Sequence, residues 1–169
     1  VALNIKNCFI RLGYTNTKID SFRITKTYKS IVYQQWQYNV IATLEGSGVS
    51  DSVSVMGGHY DNYLTTGDAF ATIPGANDNA SGVAASLEVA RVMKKNNYTP
   101  KSDIIFIAFG SEEMGLYGSS YYATDARTTL KKIRIMLNND MIAYEPDNNT
   151  ANWSVNIIDY NNSHYIRTV

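Results

Sequence analysis

One apolar run constrains the fold of this chain more than any other feature. From Asp103 to Phe109 every residue after the aspartate is apolar, so a strand formed there has no polar face. Such a strand must be covered on both sides of its sheet, which is the usual situation in α/β proteins. The run therefore predicts an α/β fold with this strand near the centre of the sheet.

The remaining hydrophobic patterns supply the other elements of that fold. An amphipathic helix is predicted over residues 1–12, ending at Gly13, and two or three antiparallel strands are predicted between Phe22 and Leu44. Strands and helices then alternate, which predicts a three-layer sandwich with a mixed, centrally parallel sheet, as a single domain over residues 1–169. These later elements are strands at Ser52–Met56, Ile133–Leu137 and Trp153–Ile158, helices at Ala80–Lys95 and Tyr117–Leu130, and the start of a helix at Ser163–Val169.

Composition excludes several classes of function. Lys plus Arg and Asp plus Glu number 15 each, so no basic surface for nucleic acid is expected. No run of eighteen apolar residues occurs, so we expect no membrane span. The single cysteine, Cys8, cannot build a cysteine zinc site. The 13 tyrosines lead us to expect a secreted, periplasmic or extracellular protein.

Acidic residues and one histidine follow the predicted strands at the points where those strands end. Because ligands gather at the carboxyl ends of strands in such sheets, we expect these side chains to meet. Carboxylates this close would repel one another, and a divalent cation offsets the repulsion. Carboxylate and imidazole ligands suit Zn²⁺ and tolerate Mn²⁺ or Co²⁺. The residues concerned are His59, Asp61, Asp78, Glu112, Glu113 and Asp140.

Four segments that contain these residues resemble the co-catalytic two-zinc aminopeptidases of the bacterial leucine aminopeptidase and aminopeptidase Y type. Glutaminyl cyclases and glutamate carboxypeptidases are related to that family. The resemblance implies a zinc exopeptidase-like fold, two Zn²⁺ ions in the complete enzyme, and hydrolysis of the first peptide bond of peptides with a free N-terminus. The segments occur in the family's order and are Gly57-Gly58-His59-Tyr60-Asp61, Gly75-Ala76-Asn77-Asp78-Asn79-Ala80-Ser81-Gly82, Phe109-Gly110-Ser111-Glu112-Glu113-Met114-Gly115-Leu116-Tyr117-Gly118-Ser119 and Asn139-Asp140-Met141-Ile142.

The same resemblance implies a set of metal ligands. His59 and Asp140 resemble the ligands of one zinc, and Asp78 resembles the carboxylate that bridges both ions. Glu113 resembles a ligand of the other zinc. Asp78 precedes a predicted helix, whose N-terminal dipole favours negative charge.

Two further residues resemble catalytic groups of the family. Glu112 resembles the general base that takes a proton from the attacking water and passes it to the leaving amine. Asp61 resembles the carboxylate that orients the imidazole of His59.

The chain departs from the family's pattern at the fifth ligand, a histidine far beyond Asp140. His164 is the only candidate, but it is too near Asp140 and lacks the surrounding sequence, so we interpret it as a surface histidine. Two explanations remain open. The chain is the C-terminally incomplete part of a larger enzyme, which we favour, or a naturally short homologue that binds one metal or only peptides. Feeble or absent hydrolysis is predicted for the isolated chain, with one or two zinc ions bound.

Rival functions remain open within the same resemblance. A glutaminyl cyclase-like enzyme and a catalytically weak peptide-binding homologue are the alternatives to the aminopeptidase. A carboxypeptidase needs basic residues to hold the substrate's carboxylate, and the loop Asn62–Pro74 contains no Lys or Arg. The continuous Glu112-Glu113 segment favours the aminopeptidase. Neither the preferred N-terminal residue nor the oligomeric state follows from the sequence.

Overall fold

The computed structural model describes residues 1–28, 30–64, 67 and 74–144 of the chain. From residue 52 onward strands and helices alternate along the chain, as in an α/β protein, whereas the two strands before residue 52 follow one another directly. The elements are α1 (Ala2–Arg11), β1 (Thr17–Tyr28), β2 (Ile31–Leu44), β3 (Ser52–His59), α2 (Ser81–Lys95), β4 (Ile104–Phe109), α3 (Tyr117–Thr128) and β5 (Lys132–Asn138).

The five strands form one mixed sheet in the order β1-β2-β4-β3-β5. β1 and β2 form an antiparallel hairpin, and β2 is also antiparallel to β4. β3 is parallel to both of its neighbours, β4 and β5. The carboxyl ends of β3, β4 and β5 therefore lie at one edge of the sheet, which places the residues that follow them close together.

Helices cover the two faces of the sheet and make the fold a three-layer sandwich. On one face α1 and α2 pack on the alternate residues Val40, Ala42 and Leu44 of β2 and on Phe106 and Ala108 of β4. On the other face α3 contributes Tyr122 to a second core. Its partners in that core are Ile41, Val55, Ile105, Ile107 and Phe109. β4 is thus buried on both faces, as its apolar run predicts.

The predicted fold class is confirmed, and most predicted elements differ from the observed ones by a few residues. α1 ends before Gly13, whose φ of +88° favours glycine. β3 runs on to His59 rather than ending at Met56. Gly57 permits this extension, because a side chain there would collide with the backbone carbonyl of Ile107.

β5 is the apolar strand predicted at Ile133–Leu137, and the sequence did not predict its place in the sheet. It lies at the edge of the described sheet, and Ile133, Met136 and Leu137 are exposed. Apolar composition alone does not distinguish a central strand from an edge strand.

Several predictions fall on residues outside the described part of the chain. These are the strand at Trp153–Ile158, the helical start at Ser163–Val169, and the assignment of His164 as a surface residue. The single domain over residues 1–169 stays a prediction. No helix within the described ranges combines the length and the apolar character that crossing a membrane needs.

Candidate metal centre

The predicted site residues meet at the edge where the parallel strands end. His59 is the last residue of β3, and Asp140 follows β5 by two residues. Asp78 lies in the segment Ala76–Ala80 that leads into α2, and its backbone angles (φ −108°, ψ 93°) are not helical. Glu112 and Glu113 follow β4. The topology of the sheet therefore gathers side chains that are up to 81 residues apart in sequence.

Three of these residues direct ligand atoms at a common point. The Nε2 atom of His59 lies 3.1 Å from Oδ1 of Asp78 and 3.6 Å from Oδ1 of Asp140. Ligand atoms of all three residues lie within 4.8 Å of one another. His59 is buried, with 3% of its side chain exposed, while the two aspartates are partly open to solvent.

The spacing of these atoms fits zinc. Two ligands bound at about 2.0 Å to a tetrahedral zinc lie about 3.3 Å from each other. The distances of 3.1 and 3.6 Å bracket that value. The donor set, one imidazole and two carboxylates, is also one that zinc prefers. The residues present therefore fit the metal that the sequence predicts.

Glu112 lies on the same side of the imidazole, with Oε2 3.8 Å from His59 Nε2. Partial burial raises the pKa of Glu112 above its ordinary value. The charge of His59 opposes that rise, and the negative charges of Glu113, Asp140 and Asp61 add to it. A carboxylate with a raised pKa is better matched to accepting and returning a proton near neutral pH.

An apolar pocket adjoins Glu112 on the α3 side of the sheet. Leu116, Tyr122 and Met136 contribute to its lining, as do Glu112 and His59 themselves. This wall keeps water from part of the Glu112 side chain, which is the physical origin of the burial that raises its pKa.

Glu113 is not among the three residues whose ligand atoms converge. Partial burial and then the negative charge of Asp78 raise the pKa of Glu113, so the two carboxylates are electrostatic neighbours. A cation bound near these two carboxylates would offset their repulsion.

The two ring nitrogens of His59 have different neighbours. Nε2 faces the carboxylates, and Nδ1 lies 3.0 Å from the backbone carbonyl oxygen of Asp61. Burial lowers the pKa of His59, but Asp61 and the charges of Glu112 and Asp140 outweigh it and raise that pKa to about 9. A hydrogen bond from Nδ1–H to a carbonyl leaves Nε2 as the nitrogen that can bind a metal.

The structure places Asp61 differently from a carboxylate that simply orients His59. Its Oδ1 atom lies 3.6 Å from Nδ1, so the backbone carbonyl at 3.0 Å is the closer contact. The carboxylate instead accepts hydrogen bonds from the backbone N–H groups of Glu112 (3.0 Å) and Glu113 (3.1 Å). Asp61 thus contacts the imidazole through its main chain and the two glutamates through its side chain. Burial raises the pKa of Asp61, but the nearby His59 ring and the hydrogen bonds from the two N–H groups lower it overall.

Sequence reasoning missed Asn79, which ties the two aspartate loops together. This side chain is 1% exposed and donates to the backbone carbonyl of Asn139 at 2.9 Å. Its Oδ1 atom accepts from the N–H of Gly82 at 3.0 Å. The residue precedes α2 and follows Asp78, while Asn139 precedes Asp140. The one available signal was the presence of asparagines directly beside two predicted ligands.

Gly82 lets these two loops approach. A side chain at residue 82 would collide with the backbone carbonyl of Asn139. Nearby, the N–H of Ala143 donates to Oδ1 of Asn77 at 2.9 Å. The segments around Asp78 and Asp140 are therefore held by bonds on both sides of the ligands.

Comparison with protein-family models identifies the family of this chain. The model of peptidase family M28 matches residues 39–165, well over half of the chain. The chain belongs to peptidase family M28. Its curated relatives include a probable zinc metalloprotease of Pyricularia oryzae, 44% identical over 105 residues. That alignment covers 62% of this chain and 20% of the relative, and the chain spans 20 to 24% of the length of several such relatives.

Solved structures agree with this family assignment. LapB from Legionella pneumophila superposes with a TM-score of 0.64 at 28% identity, over 85% of this chain and 37% of LapB. An aminopeptidase from Aneurinibacillus sp. strain AM-1 gives a TM-score of 0.56 at 36% identity, over 66% of this chain and 26% of that enzyme. A glutaminyl cyclase of Fimbriiglobus ruber (TM-score 0.64, 21% identity, 85% of this chain and 53% of that enzyme) shares the fold alone.

Proposed function

We propose that this chain is the metal-binding part of a zinc-dependent aminopeptidase. The convergence of His59 Nε2, Asp78 Oδ1 and Asp140 Oδ1 at the spacing of zinc ligands carries the proposal. Membership of peptidase family M28 and the likeness to an Aneurinibacillus aminopeptidase support peptide-bond hydrolysis. Glu113 is assigned to a second zinc on the Asp78 side.

The chemistry needs only a few groups. When bound, zinc polarises a carbonyl oxygen and lowers the pKa of water. Glu112, 3.8 Å from the imidazole, accepts a proton from the attacking water and returns it to the leaving amine. Asp61 fixes the backbone of Glu112 and Glu113 and so positions both carboxylates. The acidic rim also provides negative charge for the free ammonium of a peptide substrate.

Metal counting tests the zinc site. Native mass spectrometry of the purified chain should show one tightly bound zinc, and a second that is lost more easily. Asp140→Ala should abolish the tight ion, whereas Asp125→Ala, a control aspartate on α3 outside the site, should retain it. Wild-type chain that binds no zinc at micromolar concentration would contradict the proposal.

Product analysis tests the reaction and separates it from the glutaminyl cyclase alternative. A peptide with N-terminal leucine should slowly release leucine, and its N-acetylated form should stay intact. Feeble rates are expected, because the chain spans only part of its relatives. A peptide with N-terminal glutamine distinguishes the enzymes, since a cyclase removes ammonia without releasing an amino acid. Loss of ammonia as the main product would replace the aminopeptidase proposal by the cyclase.

A further inference from the structure

The hairpin of β1 and β2 extends beyond β4, the strand that pairs with β2. β2 pairs with β1 from Ile31 to Ala42, but it pairs with β4 only from Val40 to Leu44. Residues 31–38 of β2 therefore lie past the end of β4. At about 3.3 Å per residue they reach roughly 25 Å beyond it. We call residues 21–28 and 31–38 the arm.

The arm extends from the end of the sheet at which the metal centre lies, the carboxyl ends of β3, β4 and β5. It passes the end of β4, the strand that leads into Glu112. The hydroxyl of Tyr60, the residue after His59, donates to the backbone carbonyl of Tyr38 at 2.7 Å. Lys26 donates from Nζ to the backbone carbonyl of Met114 at 2.9 Å. The arm is thus attached to two of the four segments that carry residues of the candidate site, those after β3 and β4.

One edge of the arm offers backbone hydrogen bonds to a partner. In an antiparallel strand the N–H and C=O groups of a residue point to the same neighbour, and successive residues alternate. The carbonyl of Tyr38 points away from β1, towards Gly110 and Tyr60. The backbone groups of Trp36, Gln34 and Val32 therefore point the same way. Within the described ranges, no residue forms a strand alongside them.

The charge of the arm is opposite to that of the metal centre. The arm contains no Asp or Glu, and its basic residues are Arg23 and Lys26. The site at the base of the arm is a cluster of carboxylates. A short peptide has the complementary polarity, an ammonium at its N-terminus and a carboxylate at its C-terminus.

Orientation and side chains fit the same occupant. A peptide with its N-terminus at the site would run outward, antiparallel to β2, which is the direction a regular ladder accepts. Val32 and Trp36 are 59% and 58% exposed, and both lie on the face of the sheet that α1 and α2 cover further along. Exposed apolar side chains on an edge strand provide the cross-strand contacts that an added strand needs.

We propose that the open edge of β2 at Val32, Gln34 and Trp36 binds the outer residues of a peptide substrate as an added antiparallel strand. The proposal rests on the proposed aminopeptidase function and specifies its substrate class. Because the edge spans five residues, the preferred substrates are extended peptides of about six to eight residues rather than dipeptides or amino acid amides.

Hydrogen exchange of the 169-residue chain tests this edge directly. The probe is an extended octapeptide with a free N-terminus and a reduced, non-hydrolysable first peptide bond. Saturating probe should slow exchange about tenfold at the N–H groups of Val32, Gln34 and Trp36. The N–H groups of Tyr33 and Gln35 already pair with β1 and serve as internal controls. Leucinamide, too short to reach the arm, should protect none of the three.

Two variants at one position test the backbone contact. Gln34→Pro removes an N–H that faces the open edge and leaves the ladder with β1 intact. It should weaken probe binding about fivefold, the effect of one net hydrogen bond, whereas Gln34→Ala should stay within about twofold of wild type. Wild-type exchange does not depend on the variants, so misfolding of Gln34→Pro leaves that test intact.

The outcomes separate this proposal from the function on which it rests. Unchanged exchange at all three N–H groups with the probe bound overturns the arm proposal, whatever the chain hydrolyses. Protection that grows with protein concentration in the absence of probe also overturns it, since a second copy then occupies the edge. Absence of zinc binding defeats the proposed function instead, and is measured separately.

Discussion

Replacing Asn79 by alanine should uncouple the two loops that carry Asp78 and Asp140. The wild-type amide donates to the carbonyl of Asn139 and accepts from the N–H of Gly82, and the residue is almost completely buried. The variant leaves one partly buried acceptor and one buried donor without partners. Each such group costs about 1–3 kcal/mol.

The expected magnitude follows from these two groups. Their combined cost is about 3 kcal/mol, because the cavity that the smaller side chain leaves allows some relaxation. For a chain of this length the melting temperature should fall by about 6–12 °C. Zinc affinity should also fall by about 10- to 100-fold, the usual effect of removing a group that positions metal ligands.

Thermal unfolding in the presence of a chelator, followed by circular dichroism, measures the stability change. Zinc competition with a fluorescent chelator measures the affinity. Asn77→Ala is the matched control, since it removes an exposed hydrogen bond to the N–H of Ala143 from the same segment. The reasoning is refuted if Asn79→Ala melts within about 2 °C of wild type and binds zinc as tightly.

The remaining predictions concern the site residues themselves. In the metal-free chain the imidazole of His59 should titrate by NMR with a pKa of about 9 rather than 6.5. The charge of His59 therefore stabilises the fold fully below pH 6.5, and this contribution is lost as the pH rises through 9. Because zinc must displace the proton on His59, the affinity of the chain for zinc in competition assays should rise about tenfold per pH unit from neutrality towards that pKa. A zinc affinity that does not change with pH would argue against a protonated imidazole. Glu112→Gln should retain zinc in native mass spectra but lower leucine release, measured by mass spectrometry, by at least about 100-fold, and an unchanged rate would remove Glu112 from the reaction. Asp61→Ala should lower the free energy of unfolding in urea by about 1–3 kcal/mol through its lost bonds to the Glu112 and Glu113 N–H groups, and a neutral effect would show that those bonds do not matter.

The sequence predicted the layers of the fold well because its strongest hydrophobic patterns permit few arrangements. A strand without a polar face, such as β4, has to be central, and helices then have to cover both faces. The position of β5 could not be obtained in this way. An edge strand and a central strand both have apolar residues on a covered face, and only the pairing of the strands distinguishes the two positions.

The site was predictable in its charged groups but not in its supporting contacts. His59, Asp78 and Asp140 stand out because carboxylates gathered without a cation repel one another. Asn79 carries no charge, and its role depends on the approach of a loop 60 residues away. Asp61 shows the same limit, since its residue type predicts a contact but does not say whether the main chain or the side chain makes it.

Crystals of the zinc-soaked chain, with diffraction recorded on both sides of the zinc absorption edge, test the central claim most directly. The account predicts an anomalous peak about 2.0–2.2 Å from Nε2 of His59 and from carboxylate oxygens of Asp78 and Asp140. Zinc peaks found only elsewhere in the protein, with these three side chains unliganded, would contradict it.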